Sequence, residues 1–262
     1  MHSSPHDRLV TNGRLVVGLL LAAVASAACG SSDLTAPAVN SCSTAALSGT
    51  YGMLRNGLAA AGTRLTTAGV ATFDGKGNSS VEQTVSTNGT YSSVANQAAS
   101  YVINSDCTGT ERDAAGTPIA TLVMVRGGDE VLGISLIPGS SMTVQYERIV
   151  GPCSATTLIG DYGFQRSGVN AAGLTIVSVG FISFDGKGVQ RVIETTNRGG
   201  VIGATEPLTG AYTVNPDCTG AQIDPATGKA FSRIIVVQGG NTVIGMSKTP
   251  GNNVTETLQK IK

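Results

Sequence analysis

The sequence contains no tryptophan and only two histidines, His2 and His6, both at its extreme N-terminus. The body of the chain therefore has no imidazole. That excludes Ser-His-Asp and Cys-His catalysis there, and zinc or iron sites built on histidine. Aromatic residues make up only 4% and charged residues only 13% of the 262, and 17 Lys and Arg balance 17 Asp and Glu to a formal net charge of zero. Such a chain has no basic face for nucleic acid and no acidic tail. Hydrophobic runs are short everywhere except near the N-terminus.

There, Arg14 is followed by an apolar run from Leu15 to Ala28 that closes on Ser26-Ala27-Ala28-Cys29. The run falls short of the ~20 residues of a membrane span and reads as an export signal. Gly30 to Asn40 is small, polar and proline-containing, as a flexible tether would be. Ala27-Ala28-Cys29 resembles a bacterial lipoprotein signal, which implies lipidation of Cys29, an anchor in the outer membrane and no other contact with the bilayer. Ser26 stands where that family usually carries Leu, so cleavage after Ala27 or Ala28 and free secretion is the alternative. The expected division is a signal peptide over 1–28, a tether over 29–41 and two β-barrel repeats over 42–150 and 151–262.

The repeats are explicit. Cys42, Phe73-Asp74-Gly75-Lys76-Gly77 and Asp106-Cys107-Thr108-Gly109 recur as Cys153, Phe184-Asp185-Gly186-Lys187-Gly188 and Asp217-Cys218-Thr219-Gly220, all at one constant offset. A period that long is a small domain with its own core rather than a solenoid unit. Five cysteines are an odd number, and setting Cys29 aside leaves four. In an oxidising compartment these read as two disulfides. Since each copy must fold by itself, the repeat favours Cys42 with Cys107 and Cys153 with Cys218.

Short apolar or alternating runs between turn signals give eight strands per copy, in the first at roughly 49–54, 69–73, 78–85, 98–104, 109–113, 119–125, 130–136 and 142–149. Tight hairpin chemistry at 74–77, 105–108 and 126–129 alternates with connections at 55–68, 86–97 and 114–118 that read as looser. In a meander, alternate connections share an end, so the tight turns and the cysteines mark a base and the looser segments a rim. Eight meandering strands must hide two edges, and closure removes both. The expected fold is all-β: two tandem eight-stranded antiparallel up-and-down barrels. The alternative is a pair of immunoglobulin-like sandwiches, which place their cysteines inside facing strands around a Trp.

Gly49-Thr50-Tyr51-Gly52, the Phe-Asp-Gly-Lys-Gly turns and the Asp-Cys-Thr-Gly turns resemble a group of uncharacterised exported bacterial β-repeat proteins. More distantly, the plan is similar to lipocalin-type (calycin) barrels. That likeness implies a first-strand aromatic covered by a basic residue of the last strand, here Tyr51 with Arg148 and Tyr162 with Lys260.

Candidate sites are few. Asp74-Gly75-Lys76-Gly77-Asn78 lacks the alternating oxygen ligands and distal Glu of a calcium loop and reads as a turn. Asp129-Glu130 becomes Asn241-Thr242 in the second copy, as a solvated hairpin end would. Arg55 and Arg166 occupy equivalent positions where the first strand of each copy is expected to leave for the rim, and either could clamp an anionic group with its planar fork. No catalytic residue, metal ligand or cofactor is expected. The function expected is a non-catalytic binding or interaction lipoprotein of the bacterial cell envelope. It would take a small apolar ligand in a barrel or an envelope protein at the rim. A carboxylate- or Tyr-based barrel enzyme and a structural surface module are the alternatives, and a groove between packed barrels would be a second candidate site. Short strands without an aromatic girdle speak against one large membrane barrel.

Overall fold

The computed structural model describes residues 42–204 and 207–261; the segments expected to be an export signal and a tether, with Cys29, lie outside them. The first copy forms β1 (Ser48–Leu58), β2 (Arg64–Asp74), β3 (Asn78–Thr87), β4 (Thr90–Ile103), β5 (Thr108–Asp113), β6 (Pro118–Val125), β7 (Glu130–Ser135) and β8 (Ser141–Arg148). Each strand pairs antiparallel with the next, and β1 also pairs with β8, so the sheet closes into a barrel.

The second copy repeats the plan with β9 (Ile159–Val169), β10 (Thr175–Asp185), β11 (Val189–Arg198), β12 (Val201–Ala204), β13 (Leu208–Val214), β14 (Thr219–Ile223), β15 (Ala230–Val237), β16 (Thr242–Ser247) and β17 (Asn253–Lys260). It too is closed, with β9 between β10 and β17 and β10 against β11. β12 and β13 share the place of β4, each pairing with one half of β11.

The bases are built alike. A single 3-10 turn, Thr44–Ala46 or Ala155–Thr157, crosses each tight-turn end. Behind it Leu47 and Leu158 are fully buried. The Tyr212 hydroxyl donates to the carbonyls of Leu158 and Ala155, each at 3.0 Å, and Tyr101 donates to the carbonyl of Leu47 in the same way. Disulfides Cys42–Cys107 and Cys153–Cys218 tie the entering chain to the β4–β5 and β13–β14 turns.

Above the bases the lumens are packed. Phe73 meets the rings of Tyr51, Tyr101 and Tyr146 edge-on at 5.0–5.3 Å. Phe184 likewise meets Tyr162 and Tyr212 edge-on, while Leu258 stands where the first barrel has Tyr146. Edge-to-face pairs add about 0.5–1.5 kcal/mol each beyond the area they bury. The Arg148 guanidinium lies 4.8 Å from the Tyr51 ring centre and the Lys260 ammonium 5.9 Å from that of Tyr162, the pairing the lipocalin likeness implies.

The rim differs from the sequence-based expectation. Residues 55–68 and 86–97, read as loose connections, are largely strand. β1 runs on through Gly57, whose φ of +148° brings it so close to β8 that a Cβ would sit 2.1 Å from the Ser141 carbonyl oxygen. Gly168 repeats this against Asn253. A glycine inside a segment read as a looser connection is thus the point where a barrel closes tightly. β3 and β4 join through Asn88-Gly89, both at positive φ, the two-residue hairpin turn that matches strand twist.

The barrels also pack on each other. Leu54 and Ala68, facing outward on β1 and β2, form one buried cluster with Ile235, Val237, Ile244 and Met246 on β15 and β16. Gly52 makes the approach possible, since a Cβ there would meet Val237 Cγ1 at 2.6 Å. Burying these six apolar side chains contributes on the order of several kcal/mol. At the margin of this junction Glu147, 2% exposed, accepts from Gln238 Nε2 at 2.8 Å and Gln145 Nε2 at 2.9 Å. Burial, with Glu130 nearby, pushes its carboxyl up to about 7 against the opposing pull of Arg126 and Gln238.

Candidate functional site in the barrel lumens

Arg55 and Arg166 lie within β1 and β9 rather than at the start of rim loops, and their guanidinium groups are engaged inside the barrels. Strand alternation explains the placement, because Tyr51, Met53 and Arg55 share the inner face of β1 as Tyr162, Phe164 and Arg166 share that of β9.

In the first barrel Arg55 Nη2 donates to the Tyr146 hydroxyl at 3.1 Å and lies 3.5 Å from Glu111 Oε2. Tyr146 donates in turn to the same carboxylate oxygen at 2.9 Å. Burial, reinforced by Glu111, holds the Tyr146 hydroxyl far above the ordinary phenol range. The remaining cavity beside Arg55 and Glu111 is about 30 Å³, room for a water or two.

In the second barrel the same arginine has different partners. Arg166 Nε donates to Glu256 Oε2 at 2.9 Å and Nη1 to Glu194 Oε2 at 3.0 Å, while the guanidinium plane lies 4.7 Å from the Phe164 ring centre. Ser232 donates to the other oxygen of Glu256. Burial works to lower the Arg166 pKa, and the two carboxylates outweigh it, leaving the group above its ordinary value. The position of Glu111 is here Gln222, fully buried, with neither amide atom hydrogen-bonded. The mouth holds a cavity of about 160 Å³ bordered by Arg166, Ser178, Thr196, Ser232 and Thr255. Ile176, Phe231 and Val254 also border it, so its lining mixes charged, polar and apolar groups.

Between the barrels runs the anticipated groove, about 450 Å³ and bordered by Glu82, Asp217, Arg233 and Lys248. Arg233 Nη1 donates to Thr84 Oγ1 at 2.7 Å, its buried Nε has no partner, and burial lowers its pKa. At the base, Asp74 Oδ1 accepts from the backbone N–H of Lys76 at 2.7 Å and of Asn78 at 2.9 Å. The Asn78 side-chain amide first, and then those backbone bonds, lower Asp74 to about 2, and the motif is a turn. Among the described residues no group of three or more His, Cys, Asp or Glu is placed to hold a metal.

The sequence reading missed the arginine partners Glu111, Glu194 and Glu256. Buried acids in strands are the available signal, but which arginine they meet depends on register across the barrel.

Fold and site define a tandem all-β barrel protein with paired charges inside each barrel. No protein-family model matches the chain, and no curated protein matches it. Among solved structures it is similar to a protein of unknown function of the DUF3598 family from Nostoc punctiforme, at 10% identity and a TM-score of 0.27, covering 82% of this chain and 97% of that one. It is also similar to kievitone hydratase from Nectria haematococca, at 8% identity and a TM-score of 0.23, covering 82% and 90%. Likenesses this loose carry no argument about activity.

Proposed function

We propose that this protein is a non-catalytic interaction module of the bacterial cell envelope, held there through Cys29, that works through the outer faces of its barrels. The observation that carries this reading is an inversion of the cup. The first lumen is taken up by the chain's own aromatics and ion pairs and the second is filled below its mouth, while large apolar side chains stand outside, Val179 at 63% and Ile134 at 54% exposure. The N-terminal apolar run and the two disulfides support an exported location. Native mass spectrometry of the envelope-purified protein tests the reading. A lipid mass on Cys29 with no retained small molecule is expected; a stoichiometric ligand that survives desalting would sink it.

A second reading has its own support. The 160 Å³ mouth bordered by Arg166, Glu194 and Glu256 favours a small ligand carrying a polar group in the second barrel. The partnerless amide of Gln222, buried in the same barrel but away from that mouth, is a second polar position. If Gln222 serves only the fold, Gln222→Met raises stability by about 1 kcal/mol, because an unsatisfied buried amide is removed. A fall in stability in urea titration would instead point to a bound polar molecule or water.

A further inference from the structure

The contact between the barrels joins two different faces. The first barrel inserts Gly52, Leu54 and Ala68 from β1 and β2; the second receives them on Ile235, Val237, Ile244 and Met246. Since the barrels are copies, each also carries the face that the other uses. Allowing for the one residue inserted late in the second copy, the first barrel's version of the receiving face is Val123, Val125, Leu132 and Ile134. Val123 and Leu132 are each 44% exposed and Ile134 is 54% exposed. The second barrel's version of the inserting face is Gly163, Gln165 and Val179, with Val177 and Phe181 beside Val179 on β10.

Three features set these faces apart from ordinary surface. The run Leu122-Val123-Met124-Val125 is continuously apolar, as in a strand covered on both sides, yet in this chain Val123 is exposed and Val125 half-buried. Isolated exposed aliphatics need no explanation, whereas a contiguous apolar sheet face marks an interface. Gly163 is a strand-interior glycine with nothing within 4 Å of the Cβ it lacks. Such a glycine weakens a strand and marks a place where another chain comes close, which is what Gly52 does beneath Val237. The flank of the contact is complementary as well. Within the chain, the Tyr91 hydroxyl on β4 donates to the carbonyl of Thr249 at 2.6 Å. The equivalents of that pair are Ile202, 73% exposed, and Ile137, 44% exposed, an apolar match in place of a polar one.

We propose that copies of this protein associate head to tail, the β9–β10 face of one molecule seating on the β6–β7 face of the next and repeating the contact made within each chain. The inference rests on the outer-face reading above. The occupant is a second copy because both halves of the required interface already exist, one on each barrel. Joining two unlike faces is heterologous, so growth continues into a chain of barrels unless the rotation closes a ring.

Sedimentation velocity of the exported full-length protein over rising concentration tests this, with Val179→Glu and Ile134→Glu as variants. Both residues are more than half exposed, so folding is retained, and circular dichroism checks it. The wild type is expected to pass from monomer to species beyond dimer. Each variant alone should associate at least tenfold more weakly, and a mixture of the two should form heterodimers and nothing larger, because each supplies the face the other has lost. A wild type that stays monomeric to about 1 mM, the limit of weak association, overturns self-association. So does variant behaviour identical to wild type. If the monomer instead floats with phospholipid vesicles and Val179→Glu abolishes that, the face belongs to a bilayer and self-association falls while the outer-face reading stands. A retained luminal ligand in native mass spectrometry removes that reading independently.

Discussion

The two barrels solve one problem in two ways. Each carries an arginine on the inner face of its first strand, and each must give that charge a partner out of water. The first barrel uses one carboxylate, Glu111, buttressed by the Tyr146 hydroxyl, and seals the space above it. The second replaces Glu111 with Gln222 and Tyr146 with Leu258 and recruits Glu194 and Glu256 instead. Moving the acids between strands opens the mouth without stranding the arginine. The barrel wall fixes where a charge can be neutralised only loosely, because residues on neighbouring inner faces are interchangeable as partners.

The disulfides offer the largest effect and the control for this comparison. Both close loops of equal sequence separation, 65 residues, so replacing either pair with alanine should cost about 4 kcal/mol in the chain-entropy model, read from urea unfolding. Unequal losses would show that one barrel leans on the other. Next comes the charge arrangement. Glu111→Gln leaves Arg55 buried without its carboxylate and should cost about 3 kcal/mol, while Glu194→Gln, with Glu256 still on Arg166, should cost about 1. Equal costs would break the comparison.

The outer face gives a third contrast. Gly52→Val forces a side chain into Val237, Ile235 and Ile244 and should destabilise by about 2–3 kcal/mol, whereas Gly163→Val, in open space, should change unfolding by less than about 0.5 in dilute solution. The smallest effect depends on pH. Glu147 titrates near 7 in the folded protein against 4.5 ordinarily, so the folded state holds the proton more tightly. Stability should therefore fall as pH rises from about 4.5 to about 7 and stay level above. Glu147→Gln, which installs the residue found at the equivalent position 259, should remove that slope and raise stability at pH 8 by about 1–2 kcal/mol, seen in melts across the pH range.

Much of the architecture was legible because it is written in local signals. Turn chemistry at Asp74 and Asp185 and the cysteine spacing announced the bases of both barrels. The rim was misread because Gly57 and the Ala59–Gly62 stretch look like chain breakers, and only pairing with β8 shows that Gly57 serves closure. Asn88-Gly89 was a readable hairpin signal inside a segment taken for a loop. The arginines could be found by their repetition, but their partners could not, since Arg55 on β1 meets Glu111 on β5 and Arg166 on β9 meets Glu256 on β17. The junction between barrels was equally hidden. Ile234 to Val237 and Leu122 to Val125 are both continuous apolar runs, and only the first is covered in this chain.

Where the disulfides sit also decides how the protein bears tension. A chain pulled from upstream of Cys42 delivers its force at once to Cys107, so the strands between them carry none of it, and Cys153–Cys218 shields the second barrel's early strands likewise. At about 3.5 Å per residue, each staple withholds roughly 200 Å of slack that an unstapled barrel would release when it gave way. A chain pulled from both ends would extend only by the residues outside its two disulfide loops.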